Sequence, residues 1–170
     1  MERTTVKLYS FSFGEIRTYL FASLFIIGNI VLPQLCHLLP HGGLIWLPIY
    51  FFTLIAAYKY GIGVGLLTAI LSPVINSLFF GMPPIPSLPI ILTKSILLAI
   101  SGAYAAHRFG EISLLGIFLA VLAYQFVGLI VEWGITWNFF HAFRDIQIGY
   151  PGLLVQIFGG YLFLKLIAKR

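Results

Sequence analysis

Apolar residues run along this chain in long unbroken blocks. Residues 18–58 contain no Asp, Glu, Lys or Arg, and neither do residues 60–93. A helix that crosses a bilayer needs ~20 apolar residues, so each block holds two crossings or nearly so. The breaks between blocks are polar or rich in proline and glycine: "LPHGG", "KYG", "GMPPIPSLP" and "RFGE". They divide the chain into six expected spans, at 17–38, 44–58, 62–80, 90–107, 112–137 and 151–167. Pro33, Pro48 and Pro73 fall inside spans, which lipid tolerates where neighbouring helices satisfy the freed carbonyls. The pattern predicts an all-α integral membrane protein, a six-transmembrane-helix bundle forming one domain over residues 1–170.

Charge sets the expected orientation. With the N-terminus inside, eight of the ten basic residues fall on the cytoplasmic side: Arg3, Lys7, Arg17, Lys59, Arg108, Lys165, Lys169 and Arg170. Arg144 is left in an outer loop and Lys94 within a span. Basic residues favour the cytoplasmic side, so both termini are expected there. The net charge of +5 is thereby read as topology, and no nucleic-acid partner is expected. The start of the chain lacks a short apolar core followed by a small-x-small site, so it does not read as a cleaved signal peptide. A single cysteine, Cys36, excludes an intrachain disulfide.

Orientation exposes a second asymmetry. The charged and amide side chains within the spans are Asn29, Gln34, Asn76, Lys94, Gln125, Glu132 and Gln156. At ~1.5 Å per residue from the inner ends, all seven fall at mid-membrane or in the outer half. Such groups cost several kcal/mol each in hydrocarbon unless paired or wetted. Their shared side suggests a polar cavity open to the outside.

The candidate site follows from the helical faces. Gln125, Gly128, Glu132 and Thr136 form one stripe of the fifth span, with Trp133 and Trp137 beside it. Lys94 lies about two turns below the outer boundary of the fourth span, and Asn76 lies close beneath the proline loop. The candidate binding residues are Lys94, Asn76, Glu132, Gln125, Trp133, Trp137, His37 and Gln156. Bland readings stand beside these. Lys94 either meets a ligand, snorkels to the headgroups or forms a structural ion pair with Glu132. Trp46, Trp133 and Trp137 fit an interfacial belt as well as ligand stacking. Gly61, Gly65 and Ala69 share a face suited to tight helix packing.

Enzyme classes find little footing. The chain has no His-Glu-x-x-His, no Gly-x-Ser-x-Gly, no paired acids on one face and no Walker motif. His37 and His41 flank a Pro-Gly-Gly loop at no useful metal spacing, so neither a metal nor a cofactor is expected.

The stretch "YGIGVGLLTAILSPVINSLFFGMPPIPSLPIILTKSILLAISGAYAAHR", residues 60–108, resembles the substrate-binding S components of energy-coupling factor (ECF) vitamin transporters. The likeness lies in a Gly-rich entry to the third helix, a Ser-Pro-x-x-Asn run, and Gly-Met-Pro-Pro-x-Pro leading into the fourth. The resemblance implies a multi-pass protein of a bacterial or archaeal cell membrane, without its own ATPase, that binds a vitamin-like small molecule. It also implies docking onto an ECF coupling transmembrane subunit served by two ATPase subunits. The loop of Met82, Pro83, Pro84 and Pro86 would then gate an outer pocket, and Lys94 beneath it would face an acceptor on the vitamin. In the first helix, where the family carries Ala-x-x-x-Ala, Ala22 is followed by Ile26. A scaffold similar to the rod-shape protein MreD shares the length and span count and is the rival expectation; an intramembrane enzyme is the third.

Overall fold

The computed structural model describes residues 8–168. Its helices are α1 (Ile16–Cys36), α2 (Gly42–Trp46), α3 (Phe51–Tyr60), α4 (Ile62–Phe80), α5 (Leu88–Phe109), α6 (Leu114–Thr136), α7 (Phe139–Leu154) and α8 (Gly160–Ala168), with no strand among the described residues. Five stretches among them are long and apolar enough to cross a bilayer: Ile16–Cys36, Ile62–Phe80, Ile85–Phe109, Leu114–Thr136 and Phe139–Ala168. This fits a membrane-embedded helical protein.

Two segments differ from the sequence expectation. Residues 44–58 do not form one long helix. Leu47 takes a left-handed conformation, with φ 45°, and precedes Pro48. The residue before a proline is disfavoured in the α region, so the chain breaks into α2, a 3-10 turn (Pro48–Tyr50) and the ten-residue α3. At 1.5 Å per residue, α3 spans only about 15 Å. It is instead the central element: Thr53, Leu54, Ile55, Ala56, Ala57 and Tyr58 are all fully buried. A helix that is apolar all round belongs in the middle of a bundle, and α3 packs on α1, α4, α5 and α8.

The final helical run also begins earlier than expected. Residues 138–150, read from sequence as an outer loop, form most of α7. Asn138 caps it, its side chain accepting from the His141 N–H at 3.0 Å. A π-helical turn (Val155–Gly159) joins α7 to α8, so Pro151 lies inside a continuous run and does not open a helix. The four remaining long helices fall within two residues of the expected bounds, because their ends carry strong stops. Gly81, with φ 68°, closes α4, and Gly110, with φ 66°, closes α5. Both use the left-handed conformation that glycine adopts without strain.

Close helix approach depends on one small face. A Cβ at Gly65 would sit 2.6 Å from the Ala57 Cβ and 2.8 Å from its Cα. Ala57, Ala69 and Ala99 form a buried alanine contact among α3, α4 and α5. Gly65 and Ala69 thus let α4 lie directly against the central helix.

The bundle has two chemically distinct ends. One gathers the described basic residues Arg17, Lys59, Arg108 and Lys165 near helix termini. There the Lys59 ammonium donates to the Ile167 carbonyl at 2.8 Å, and the Tyr58 hydroxyl donates to the Glu111 carbonyl at 3.0 Å. Arg3, Lys7, Lys169 and Arg170, which carry the rest of the charge argument, lie outside the described residues. The other end holds the α1–α2 connection, the proline loop and the α6–α7 corner, and it contains the cavity.

Candidate functional site

Four pieces of chain surround a cavity of about 760 Å³. The end of α1 and the following loop contribute Pro33, His37, Leu38, Leu39, Pro40 and His41. The broken segment contributes Leu47, Pro48, Ile49 and Tyr50. Across from these, Gly81, Met82, Pro83, Pro84 and Ser87 come from the proline loop, and Ile90 and Ile91 from α5. Glu132 of α6 and His141, Arg144 and Ile148 of α7 complete the lining. The last three recur at spacings of three and four residues, so one face of α7 forms a wall.

The left-handed turn at Leu47 positions the floor. It ends α2 and redirects the chain, so that Tyr50 enters the core while Leu47, Pro48 and Ile49 remain against the cavity. The Tyr50 ring packs on the Tyr124 ring of α6, with centroids 5.4 Å apart. The proline loop is closed at its start by the α4 cap, where the Met82 N–H donates to the Asn76 carbonyl at 3.3 Å.

Glu132 is the buried charged group of this lining, 3% exposed. Its Oε2 accepts from the Lys94 ammonium at 2.5 Å, and Lys94 itself is 2% exposed. Its Oε1 lies 3.4 Å from Nδ1 of His141, a residue that is 56% exposed. The Lys94 stem passes over Gly128, where a Cβ would meet the Lys94 Cγ at 2.7 Å. Glycine one turn before Glu132 therefore lets the lysine reach the carboxylate along the α5–α6 seam.

The seven polar side chains of the spans do not form one cavity. The structure sorts six of them into three internal groups, and Gln125 is buried on α6 outside these groups. Between α1, α3 and α4, the Asn29 amide donates to the Thr53 hydroxyl at 3.0 Å and its carbonyl oxygen accepts from the Phe52 N–H at 3.2 Å. The Asn76 amide donates to the Asn29 and Ser72 backbone carbonyls at 2.9 and 3.0 Å, and the Gln34 amide reaches Asn76 at 3.4 Å. Lys94 and Glu132 form the second group. In the third, the Tyr124 hydroxyl donates to Gln156 Oε1 at 2.8 Å, within the π-helical turn.

Of the sequence candidates, Glu132, His37, Met82, Pro83 and Pro84 line the cavity, and Lys94 stands directly behind Glu132. Asn76, Gln125, Gln156 and Pro86 are not part of the lining. Asn76 is held in the helix-packing network, and Gln156 is fully buried with its amide nitrogen lacking a hydrogen-bond partner among the described residues. Trp133 and Trp137 point outward. Trp137 is 89% exposed, and Trp133 packs edge-on against Phe139 with centroids 5.8 Å apart. Sequence reasoning missed Tyr50, His141, Arg144 and Ile148 as lining residues. The Asn138 capping position was the readable signal for the last three, because it starts the helix that carries them.

Among the described residues no cluster of three or more His, Cys, Asp or Glu side chains could hold a metal. Chemically, the arrangement offers a chamber with apolar walls, one buried carboxylate and a rim of imidazoles and a guanidinium. No protein family, no curated protein and no solved structure matches the chain.

Proposed function

We propose that this protein is the membrane-embedded binding subunit for uptake of a vitamin or related small micronutrient, working with an ECF energising module. The observation that carries the proposal is the cavity of about 760 Å³ beneath the Met82–Pro84 loop. Its volume lies within the ~300–1,000 Å³ of small-molecule sites, and its apolar lining with a few convergent polar groups is their usual composition. A scaffold has no need of such a chamber. In this reading the basic end faces the cytoplasm and the cavity opens outward. The prolines limit the loop's conformations, so closure over a ligand loses little chain entropy. Ala22 and Ile26 are buried inside the bundle, so the coupling subunit docks on other surfaces.

The chain has no nucleotide-binding motif, so concentrative transport depends on its partners. Native mass spectrometry of the protein purified from its membrane is expected to show a retained small molecule. Proteoliposomes carrying the protein alone are expected to bind that molecule without accumulating it. Accumulation with ATP is expected once a coupling subunit and two ATPases are co-reconstituted. Concentrative uptake by the chain alone, without ATP, would refute the proposal.

A further inference from the structure

Within the reading of this cavity as a small-molecule site, on which the inference rests, we infer the chemistry of the ligand's outer end. It is an anionic oxygen group, a carboxylate or a phosphate, and Arg144 at the cavity rim is its partner.

Four observations lead there. First, Arg17, Lys59, Arg108 and Lys165 gather at the opposite end of the bundle, whereas Arg144 is exposed and lines the cavity. Second, its guanidinium makes no hydrogen bond or ion pair among the described residues. Glu132, the carboxylate of the same lining, forms its ion pairs with Lys94 and His141 instead. Third, His37 and His41 line the cavity from the α1–α2 connection, and neither ring hydrogen-bonds another described residue. Gly43 makes room for the first of them, since a Cβ there would lie 2.6 Å from Nε2 of His37. Fourth, three non-glycine residues among those described have positive φ, and two of them, His41 (φ 56°) and Leu47 (φ 45°), line this cavity. Such backbone is costly, and it clusters at ligand clamps.

The guanidinium decides between ligand classes. It offers five donors in a planar fork and no acceptor. A carboxylate or phosphate meets that fork with two parallel bonds and the opposite charge. An ammonium there would meet a like charge, and a neutral carbonyl would accept a bond without balancing the charge. The imidazoles add N–H donors, which the neutral and the protonated ring both carry. At an exposed rim the anion keeps part of its hydration, so it avoids the cost of burying an ion. The rest of the ligand reaches inward along Leu47, Ile49, Met82, Pro84, Ile90 and Ile91, and is correspondingly apolar. The ligand is therefore an amphiphilic anion, and its source is either a free organic acid or the phosphate headgroup of a lipid.

Three probes of one shape test this on the full chain: 1-naphthylacetate, 1-naphthylacetamide and 2-(1-naphthyl)ethylammonium, with Kd measured by equilibrium dialysis. Each is measured in maltoside micelles and in phosphatidylcholine nanodiscs, with empty micelles and nanodiscs as partition controls. In maltoside the acetate is expected to bind about 5-fold or more tightly than the other two. That preference is expected to shrink between about 50 and about 500 mM NaCl, because salt screens an exposed pair. Arg144 is exposed and unbonded, so Arg144→Gln is expected to fold with an unchanged Tm and to lose both the preference and its salt dependence. Arg144→Lys is expected to keep part of each. A preference that persists in the nanodiscs supports the inference with a free organic acid as the source. One that is present in maltoside and lost in the nanodiscs supports it with a lipid headgroup as the source. Acetate binding no more tightly than acetamide in maltoside overturns the inference, as does a preference that survives Arg144→Gln. Failure of all three probes also overturns it. Whether the proposed function falls as well is read separately, from whether native mass spectrometry finds a retained molecule.

Discussion

Replacing Lys94 by methionine tests the ion pair at the centre of this site. Methionine keeps the unbranched stem that fills the notch over Gly128, so the change removes charge with little loss of packing. Glu132 would then remain buried with the Lys94 ammonium gone from Oε2. Breaking a buried pair by removing one partner costs ~3–5 kcal/mol. Because Glu132 borders a cavity that water can enter, the lower end, about 3 kcal/mol, is the expected loss. For a chain of this size each kcal/mol moves Tm by ~2–4 °C, giving a fall of about 6–12 °C. Glu132→Gln should also lower Tm, since it removes the carboxylate that accepts from the Lys94 ammonium. The double variant Lys94→Met/Glu132→Gln removes both charges of this pair together and should lose less than the sum of the single losses. The assay is thermal unfolding in one detergent, followed by intrinsic fluorescence and size-exclusion recovery, on all four proteins. A double variant whose loss equals the sum of the single losses would refute the coupling. An unchanged Tm in Lys94→Met would refute the buried pair itself.

Other consequences can be checked independently. Gly65→Ala forces a methyl to within 2.6 Å of the Ala57 Cβ and 2.8 Å of its Cα, so α4 must move from the central helix at a cost of ~1–3 kcal/mol; an unaltered Tm would deny that contact. Tyr124→Phe removes the donor to Gln156 Oε1, leaving a buried acceptor unsatisfied and lowering stability by ~1–3 kcal/mol; no loss would mean that water or another donor already serves Gln156. In a background with Cys36 replaced by serine, a cysteine at Ser87 should react with an impermeant maleimide applied to intact cells, while one at Glu111 should not. Equal labelling of both from outside would contradict their placement at opposite ends of the bundle.

Much of the architecture was legible because membrane helices announce themselves by local composition. The blocks ending at Gly81 and Gly110 are bounded by residues whose effect is local: glycine takes a left-handed cap whatever surrounds it. The expected second span is interrupted for an equally local reason that hydropathy does not report. The Leu47-Pro48 step breaks the helix, yet both residues count as apolar and keep the block continuous. The Asn138 cap and the helix behind it were hidden by Pro151, which reads as a helix start in sequence but sits inside the run.

Local composition is enough to make this chain helical and membrane-embedded in character, to require partners for its buried polar groups, and to stop most of its long helices. These follow from the length of apolar blocks, the cost of unsatisfied polar groups in hydrocarbon, and the backbone preferences of glycine and proline. Which partner each polar group takes is settled by packing between helices. Asn29 and Asn76 are 47 residues apart and Lys94 and Glu132 are 38 apart, and no periodicity within one helix carries information across such separations. Periodicity placed Gln125 and Glu132 on one stripe, but the two lie two turns apart along α6, and the cavity reaches Glu132 and leaves Gln125 out of its lining. How deep the cavity runs depends on how α5, α6 and α7 pack, through close contacts such as Lys94 over Gly128, which exist only once the helices are assembled.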